Sequence, residues 1–262
     1  MQTLVHTLET HDEGTCPVFQ IKKPKVEFSN VKLMIKDKTV FENVMLNVYT
    51  GLTLITGPAG SGKSVLLLTI LKEFEISEGK LLVEGRISYA SQEPWLFPAT
   101  IKQNILFGNK YNHKRYQEVL RVCDLQYDIE LLENGDSTIV ADGGSNLSKG
   151  QRSRVNLAMA IYQDSDIYLI DDTLSSLDPL VADHIFKNCI LKLLHGKIVF
   201  LVSHYLDLSQ YAATIVNLGN GNLTTWKNDL SDNVQNNDPK FIPNVCAILK
   251  ESNPKTNSAD SE

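Results

Sequence analysis

Residues 57 to 64 read Gly-Pro-Ala-Gly-Ser-Gly-Lys-Ser, which fits the spacing G-x-x-x-x-G-K-[ST]. Leu52-Thr53-Leu54-Ile55-Thr56 ahead of it is an apolar, β-branched run bounded by Gly51, and predicts a buried strand. Ser64 to Lys72 behind it is mostly Val, Leu and Ile, and predicts a buried helix. Between the two, Gly57, Gly60 and Gly62 let the backbone curl with its N–H groups facing inward, and Pro58, Ala59 and Ser61 complete the loop. The helix N-terminus adds a partial positive charge at the same point. Such a loop cradles a phosphate chain. Lys63 is placed to reach the β- and γ-phosphates, and Ser64 to ligate Mg²⁺. The plainer alternative is a glycine-rich turn with an incidental lysine; the strand before and the helix after argue against it.

A chain of 262 residues suits one large domain or two small ones, and its 42% apolar and 21% charged residues are those of a globular protein. The formal net charge of -6 excludes the basic footprint of a nucleic-acid binder. Cys16, Cys123, Cys189 and Cys246 lie far apart, and read as free thiols of a reducing compartment. The histidines show no metal-ligand spacing. No apolar run approaches the roughly 20 residues that span a bilayer, and the polar, acidic stretch Met1 to Thr15 does not read as a signal peptide. Any membrane role would come through a partner or through segments outside this sequence.

Residues 1–21 read as a leader or linker, 22–230 as one nucleotide-binding domain with a helical subdomain at about 99–150, and 231–262 as a disordered tail or linker rich in Asn, Asp, Ser, Pro and Lys. Short strands are expected at 26–31, 44–49, 80–85 and 87–90, with a polar turn at Lys36-Asp37-Lys38. Residues 101 to about 133 read as helical, followed by a helix at 151–163, a strand at 167–170, a helix near 180–194 and a strand at 197–202. This alternation predicts a largely parallel sheet covered by helices.

Further landmarks follow the phosphate loop in a fixed order. Ile167 to Ile170 leads into Asp171-Asp172, an apolar strand ending in carboxylates, where Asp171 would hold Mg²⁺. Leu147-Ser148-Lys149-Gly150-Gln151 opens a helix upstream. Ser175-Ser176-Leu177-Asp178 and Val202-Ser203-His204 lie downstream, and Gln92 falls in between. Taken singly these are weak: a solvated strand end, a helix start, a surface glutamine. In this order they resemble the nucleotide-binding domain of ATP-binding cassette (ABC) transporters, over about residues 26–230. Residues 147–151 match the family signature L-S-G-G-Q at four of five positions. Gln92-Glu93-Pro94-Trp95-Leu96-Phe97 and Asn104-Ile105-Leu106-Phe107-Gly108 further resemble the first cassette of the multidrug-resistance-associated (C) subfamily, and Asp166 to Asp172 its multidrug resistance-associated protein 4 branch. Trp95 reads as a packing residue rather than a ligand contact.

The resemblance implies an α/β P-loop NTPase of ABC type, with a mostly parallel sheet core, a small antiparallel β subdomain and a helical subdomain. It implies ATP and Mg²⁺ as ligands, with Ser64, Gln92 and Asp171 around the metal. Asp172 stands at the general-base position, His204 at the switch histidine and Gln92 at the Q-loop. Ser148, Gly150, Gln151 and Asp178 would face ATP across the joint with a second, head-to-tail ABC cassette. It also implies transmembrane domains as partners, a place on the cytoplasmic face of a membrane without direct insertion by this chain, and ATP-driven efflux of organic anions or conjugates. The other readings are a nucleotide-dependent regulatory module and a piece of a longer transporter.

Three positions depart from the family pattern. Asp172 stands where a glutamate is usual, one methylene shorter than a base that must come within about 2.6–3.2 Å of the proton it takes. The adenine-stacking aromatic falls at Ile35, beside Met34, so a ring would have to come from Phe41 or Tyr49. Lys149 occupies a signature glycine.

Overall fold

The computed structural model describes residues 23–219 and 221–228. The leader expected at 1–21 and the tail at 231–262 lie outside the described residues, as do Cys16 and Cys246. The described residues form two sheets. The smaller is antiparallel, in the order β2 (Lys38–Val48), β1 (Lys25–Ile35), β4 (Glu78–Glu84). The larger runs β5 (Ile87–Ala90), β6 (Ile167–Asp171), β7 (Ile198–Val202), β3 (Gly51–Thr56), β8 (Thr214–Gly219), β9 (Asn222–Lys227). All its pairings are parallel except the last, β8 with β9. This is the α/β architecture with an antiparallel subdomain that the sequence implied.

Both faces of the large sheet are covered, which is why β6 and β7 are buried at every position and show no polar alternation. On one face, α1 (Lys63–Ile70) packs Leu66, Leu67 and Ile70 with Leu169, Phe200 and the inner residues of β1 and β2. On the other, α5 (Lys149–Tyr162) packs Val155, Ala158 and Ile161 with Tyr168, Ile170 and Leu201. Fully burying one such side chain stabilises by about 1.5–3 kcal/mol, so Leu169→Ala in the sheet centre would cost about 2–5 kcal/mol.

The helical stretch expected from 101 to about 133 is broken into α2 (Ile101–Leu106), α3 (His113–Val122) and α4 (Gln126–Leu131). The breaks fall where Phe107 (φ 42°) and Asp124 (φ 55°) adopt left-handed conformations. Thr100 starts α2 with a reciprocal capping box to Gln103, and the Asn112 side chain caps α3. The turn expected at 36–38 is tighter than read, because Lys38 already pairs with Ile35 in β2. Helix α6 (Pro179–Ile185) starts on Asp178 with Pro179 in its first turn, and continues as a π-helix through Phe186–Leu193. Among the described residues no helix is long and apolar enough to cross a membrane.

Candidate functional site: a cleft at the carboxyl ends of β3, β6 and β7

Register places the site. Ile55 of β3 and Asp171 of β6 both pair with Val202 of β7, so three parallel strands end together. Ligands of open α/β sheets bind at such strand ends. Residues 57–62 connect β3 to α1 across this edge. Gly57 has φ 140°, and a Cβ there would lie 2.1 Å from the Leu218 carbonyl oxygen, so no other residue fits. Gly62 (φ 98°) precedes α1 without a side-chain cap. The first-turn N–H groups of α1 are therefore left for water or a ligand, beside the positive end of the helix dipole.

The loop, Gln92 and the ends of β6 and β7 enclose a cavity of about 360 Å³, lined by Ala59, Gly60, Gly62, Lys63, Ser64, Val65, Gln92, Asp171, Asp172, Val202 and His204. Lys63 folds back over the loop: its Nζ donates to the Gly57 carbonyl at 2.8 Å and to the Pro58 carbonyl at 2.9 Å. Burial lowers its pKa, while the negative charges of Asp172 and Asp171 oppose that shift.

Asp171 is 2% exposed. Its Oδ2 accepts a bond from the Tyr89 hydroxyl at 3.2 Å, and its Oδ1 is buried with no hydrogen-bond partner among the described residues. Burial pushes its pKa up; the nearby Ser64 and Tyr89 hydroxyls pull it down, and the Asp172 charge pushes it up again. An orphaned carboxylate oxygen next to a serine hydroxyl is a hard-oxygen donor set with unused capacity, which fits Mg²⁺.

Asp172 follows in the left-handed region, φ 47° and ψ 28°, where Asp is tolerated better than longer side chains. Burial raises its pKa too, and His204 is the main opposing influence. Its Oδ2 lies 3.8 Å from His204 Nε2, beyond direct hydrogen-bond reach. His204 follows β7, and the next residue is fixed by Tyr205 N–H donating to Ser203 Oγ at 3.1 Å. Gln92 is held by its flanks. Asn156 of α5 donates to the Ser91 carbonyl at 3.0 Å, and buried Asn104 of α2 bonds both the N–H and the carbonyl of Phe97.

A second cavity of about 660 Å³ lies across the loop, lined by Ile35, Lys38, Thr39, Val40, Pro58, Ala59, Gly60, Ser61, Gly62, Val65 and Gly221. Ile35 lines this cavity, whereas Met34 does not: it is exposed, and its backbone N–H donates to Ser77 Oγ. Neither candidate ring reaches the cavity. Phe41 is fully buried in the core, and Tyr49 hydrogen-bonds Glu27 at another cleft. Val40 is the apolar wall that sequence reasoning missed. It sits on β2, and only the β1–β2 pairing brings it beside Ile35.

Ser148, Gly150, Gln151 and Asp178 line neither cavity. Ser148 caps α5 in a reciprocal box: its Oγ accepts from Gln151 N–H at 3.1 Å, and its own N–H donates to Gln151 Oε1 at 3.0 Å. Gln151 Nε2 donates to Asp128 Oδ1 at 2.8 Å, so both ends of that side chain are engaged within the chain. Lys149 and Ser148 are exposed at the helix start. The Asp178 carboxylate caps α6 by accepting from Leu180 N–H at 2.9 Å. Trp95 lines neither cavity and packs against other rings, as a packing residue rather than a ligand contact would. It is 60% exposed in a surface group with Phe97 and Phe107, at ring distances of 5.8 and 6.2 Å.

The family profile described as ABC transporter matches residues 41–175, from β2 through the phosphate loop and signature to the carboxylates of β6. The chain belongs to the ABC transporter family. The human "ATP-binding cassette sub-family C member 4" is 49% identical over 169 residues, which are 64% of this chain and 13% of that protein. The "Probable multidrug resistance-associated protein lethal(2)03659" of Drosophila melanogaster is 44% identical over 169 residues, 64% of this chain and 12% of the relative. The "Cystic fibrosis transmembrane conductance regulator" of Danio rerio is 44% identical over 183 residues, 70% of the chain and 12% of the relative. The chain thus spans about an eighth of the length of these curated relatives. ABC transporter domains bind ATP, generally with Mg²⁺, and the family is generally one of ATPases.

Proposed function

We propose that this chain is the ATP-binding cassette of an organic-anion or conjugate efflux transporter, held at the cytoplasmic face of a membrane by transmembrane domains outside the sequence given. In this reading the cassette spans 22–230, with its helical subdomain at about 99–150. The convergence of Lys63, Gln92, Asp171, Asp172 and His204 on one cavity at the N-terminus of α1 carries it. Phosphoryl transfer to water depends mostly on positioning and charge stabilisation. The loop N–H groups and Lys63 bind the β- and γ-phosphates. Lys63 exchanges its carbonyl partners for phosphate oxygens, so its site is formed before ligand arrives. Ser64, Asp171 and Gln92 would hold Mg²⁺, which when bound neutralises charge developing on the phosphates. The base Ile35 and Val40 can contact is adenine, on an apolar wall without a ring.

Asp172 accepts the proton of the attacking water, and His204 contacts the γ-phosphate. The short Asp172 side chain makes this chain's own site bind ATP better than it hydrolyses it. Ser148, Gly150, Gln151 and Asp178 serve a second site, with a head-to-tail partner cassette. Their position outside the chain's own cavity supports that assignment. Gln151, its side chain occupied by Ser148 and Asp128, acts there by shaping the helix start.

The test is titration of a fluorescent ATP analogue against Lys63→Ala. Removing the cation deletes about two charge-assisted bonds of about 1.5–3 kcal/mol each, so affinity should fall by at least a hundredfold. Unchanged affinity would refute the phosphate assignment.

A further inference from the structure

The Tyr89 hydroxyl has no part in that reading, yet it touches the carboxylate on which the metal site depends. Tyr89 stands on β5, and parallel pairing sets it opposite Leu169 and Ala90 opposite Ile170. The half-buried side chain reaches the end of β6, and its O–H donates to Asp171 Oδ2 at 3.2 Å. Asp171 Oδ1, on the same carboxylate, is buried and has no hydrogen-bond partner among the described residues. The terminal torsion of an aspartate is broad and roughly two-fold, so a free carboxylate samples many planes. A bond to one oxygen selects the plane and leaves the other oxygen available.

The geometry points to Tyr89 as a positioning residue for Mg²⁺: its hydroxyl fixes one Asp171 oxygen so that the other is presented to the metal or to a metal-bound water. This rests on the proposed role of Asp171. Tyr89 touches neither metal nor nucleotide in this account. It acts as the outer partner of a ligating carboxylate, and such partners change metal affinity by about 10–100-fold. The ring also belongs to the apolar cluster between α1 and the antiparallel sheet, so the hydroxyl must be removed without disturbing the ring.

Tyr89→Phe does that. Binding of a fluorescent ATP analogue to the full chain is measured across a series of Mg²⁺ concentrations, and again with excess EDTA. The Mg²⁺ concentration giving half of the metal-dependent gain in binding should rise about tenfold in Tyr89→Phe, while affinity in EDTA stays that of the wild type. Mn²⁺ should show the same displacement. An unchanged Mg²⁺ midpoint, or an equal loss of affinity with and without metal, would overturn the inference. A wild-type chain that binds ATP with no response to Mg²⁺ would instead overturn the metal role of Asp171 itself, so the two failures are distinguishable. Thermal melting checks that the variant folds. Should it not, Tyr89→Met, unbranched and adaptable in a core, lacks the hydroxyl and gives the same readout.

Discussion

Replacing Asp128 with Ala would remove one carboxylate from a closed network that joins α4 to the first turns of α5. Asp128 Oδ2 lies 2.6 Å from Arg154 Nη1, and Asp128 Oδ1 accepts from Gln151 Nε2 at 2.8 Å. The two charged side chains are only 12% and 19% exposed, so neither bond competes freely with water. Hydrogen bonds to charged groups contribute about 1.5–3 kcal/mol each, which puts the pair at about 3–6 kcal/mol. Arg154 keeps the Asp124 carboxylate at 3.8 Å and the Asp124 carbonyl, so its charge is not wholly abandoned. The expected loss is therefore about 3–4 kcal/mol, at the low end for breaking a buried pair. For a domain of this size that lowers the melting temperature by roughly 6–16 °C. Urea unfolding of the full chain should show a lower midpoint with unchanged slope. Asp128→Asn keeps an acceptor for Gln151 and loses the charge, so it should cost about half as much. Salt at 1 M should change the difference little, because the pair is buried. A loss under about 1 kcal/mol, the size of an exposed ion pair, would refute the reasoning.

Asp172→Glu should raise ATP turnover of the chain assembled with its partner cassette, measured by phosphate release, and should also cost about 1 kcal/mol of stability, because glutamate suits the left-handed backbone at φ 47° less well. GTP should compete with a fluorescent ATP analogue within several-fold of ATP itself, since a lost aromatic stack is worth about 0.5–1.5 kcal/mol; a hundredfold preference would show that a ring does reach the base. Burial raises the Asp171 pKa above 3.8, so the native state holds its proton more tightly than the unfolded state, and stability falls as pH rises through the native value. Asp171→Asn should accordingly stabilise the metal-free chain at neutral pH in urea unfolding, by about 0.5–2 kcal/mol, with the advantage vanishing below the usual carboxylate range. Equal stability of the two chains at neutral pH would show that this buried charge is already compensated.

The phosphate loop and the β6 carboxylates were legible because each is a local pattern: a fixed spacing, or an apolar strand with acids at its end. The same holds for Ser148, whose capping box with Gln151 spans four residues. What the sequence hid depends on contacts between distant segments. Tyr89 and Asp171 are 82 positions apart and meet only through strand pairing. Val40 joins the cavity wall only because β1 and β2 pair. Strands β8 and β9 were missed because neither is a clean apolar run: β8 (Thr214–Gly219) is interrupted by Asn217, and β9 is a mostly exposed polar edge. The stretch 101–133 reads as helical on both sides of its breaks; Gly108 beside Phe107 marks the first, whereas nothing but the left-handed Asp124 marks the second. Trp95 does pack, but against Phe97 and Phe107 with 60% of it exposed, a partial burial that its apolar side chain alone does not announce.

The left-handed turn at Asp172 also bears on how this position can change over generations. Aspartate codons are one nucleotide from those for asparagine, glycine and glutamate. Asparagine and glycine keep the turn comfortable while abolishing a carboxylate; glutamate restores a long one against the backbone's preference. Where selection asks this site only to hold nucleotide, mutation has two unstrained exits away from hydrolysis and one strained road back to it. A cassette in that situation loses chemistry more readily than it loses shape.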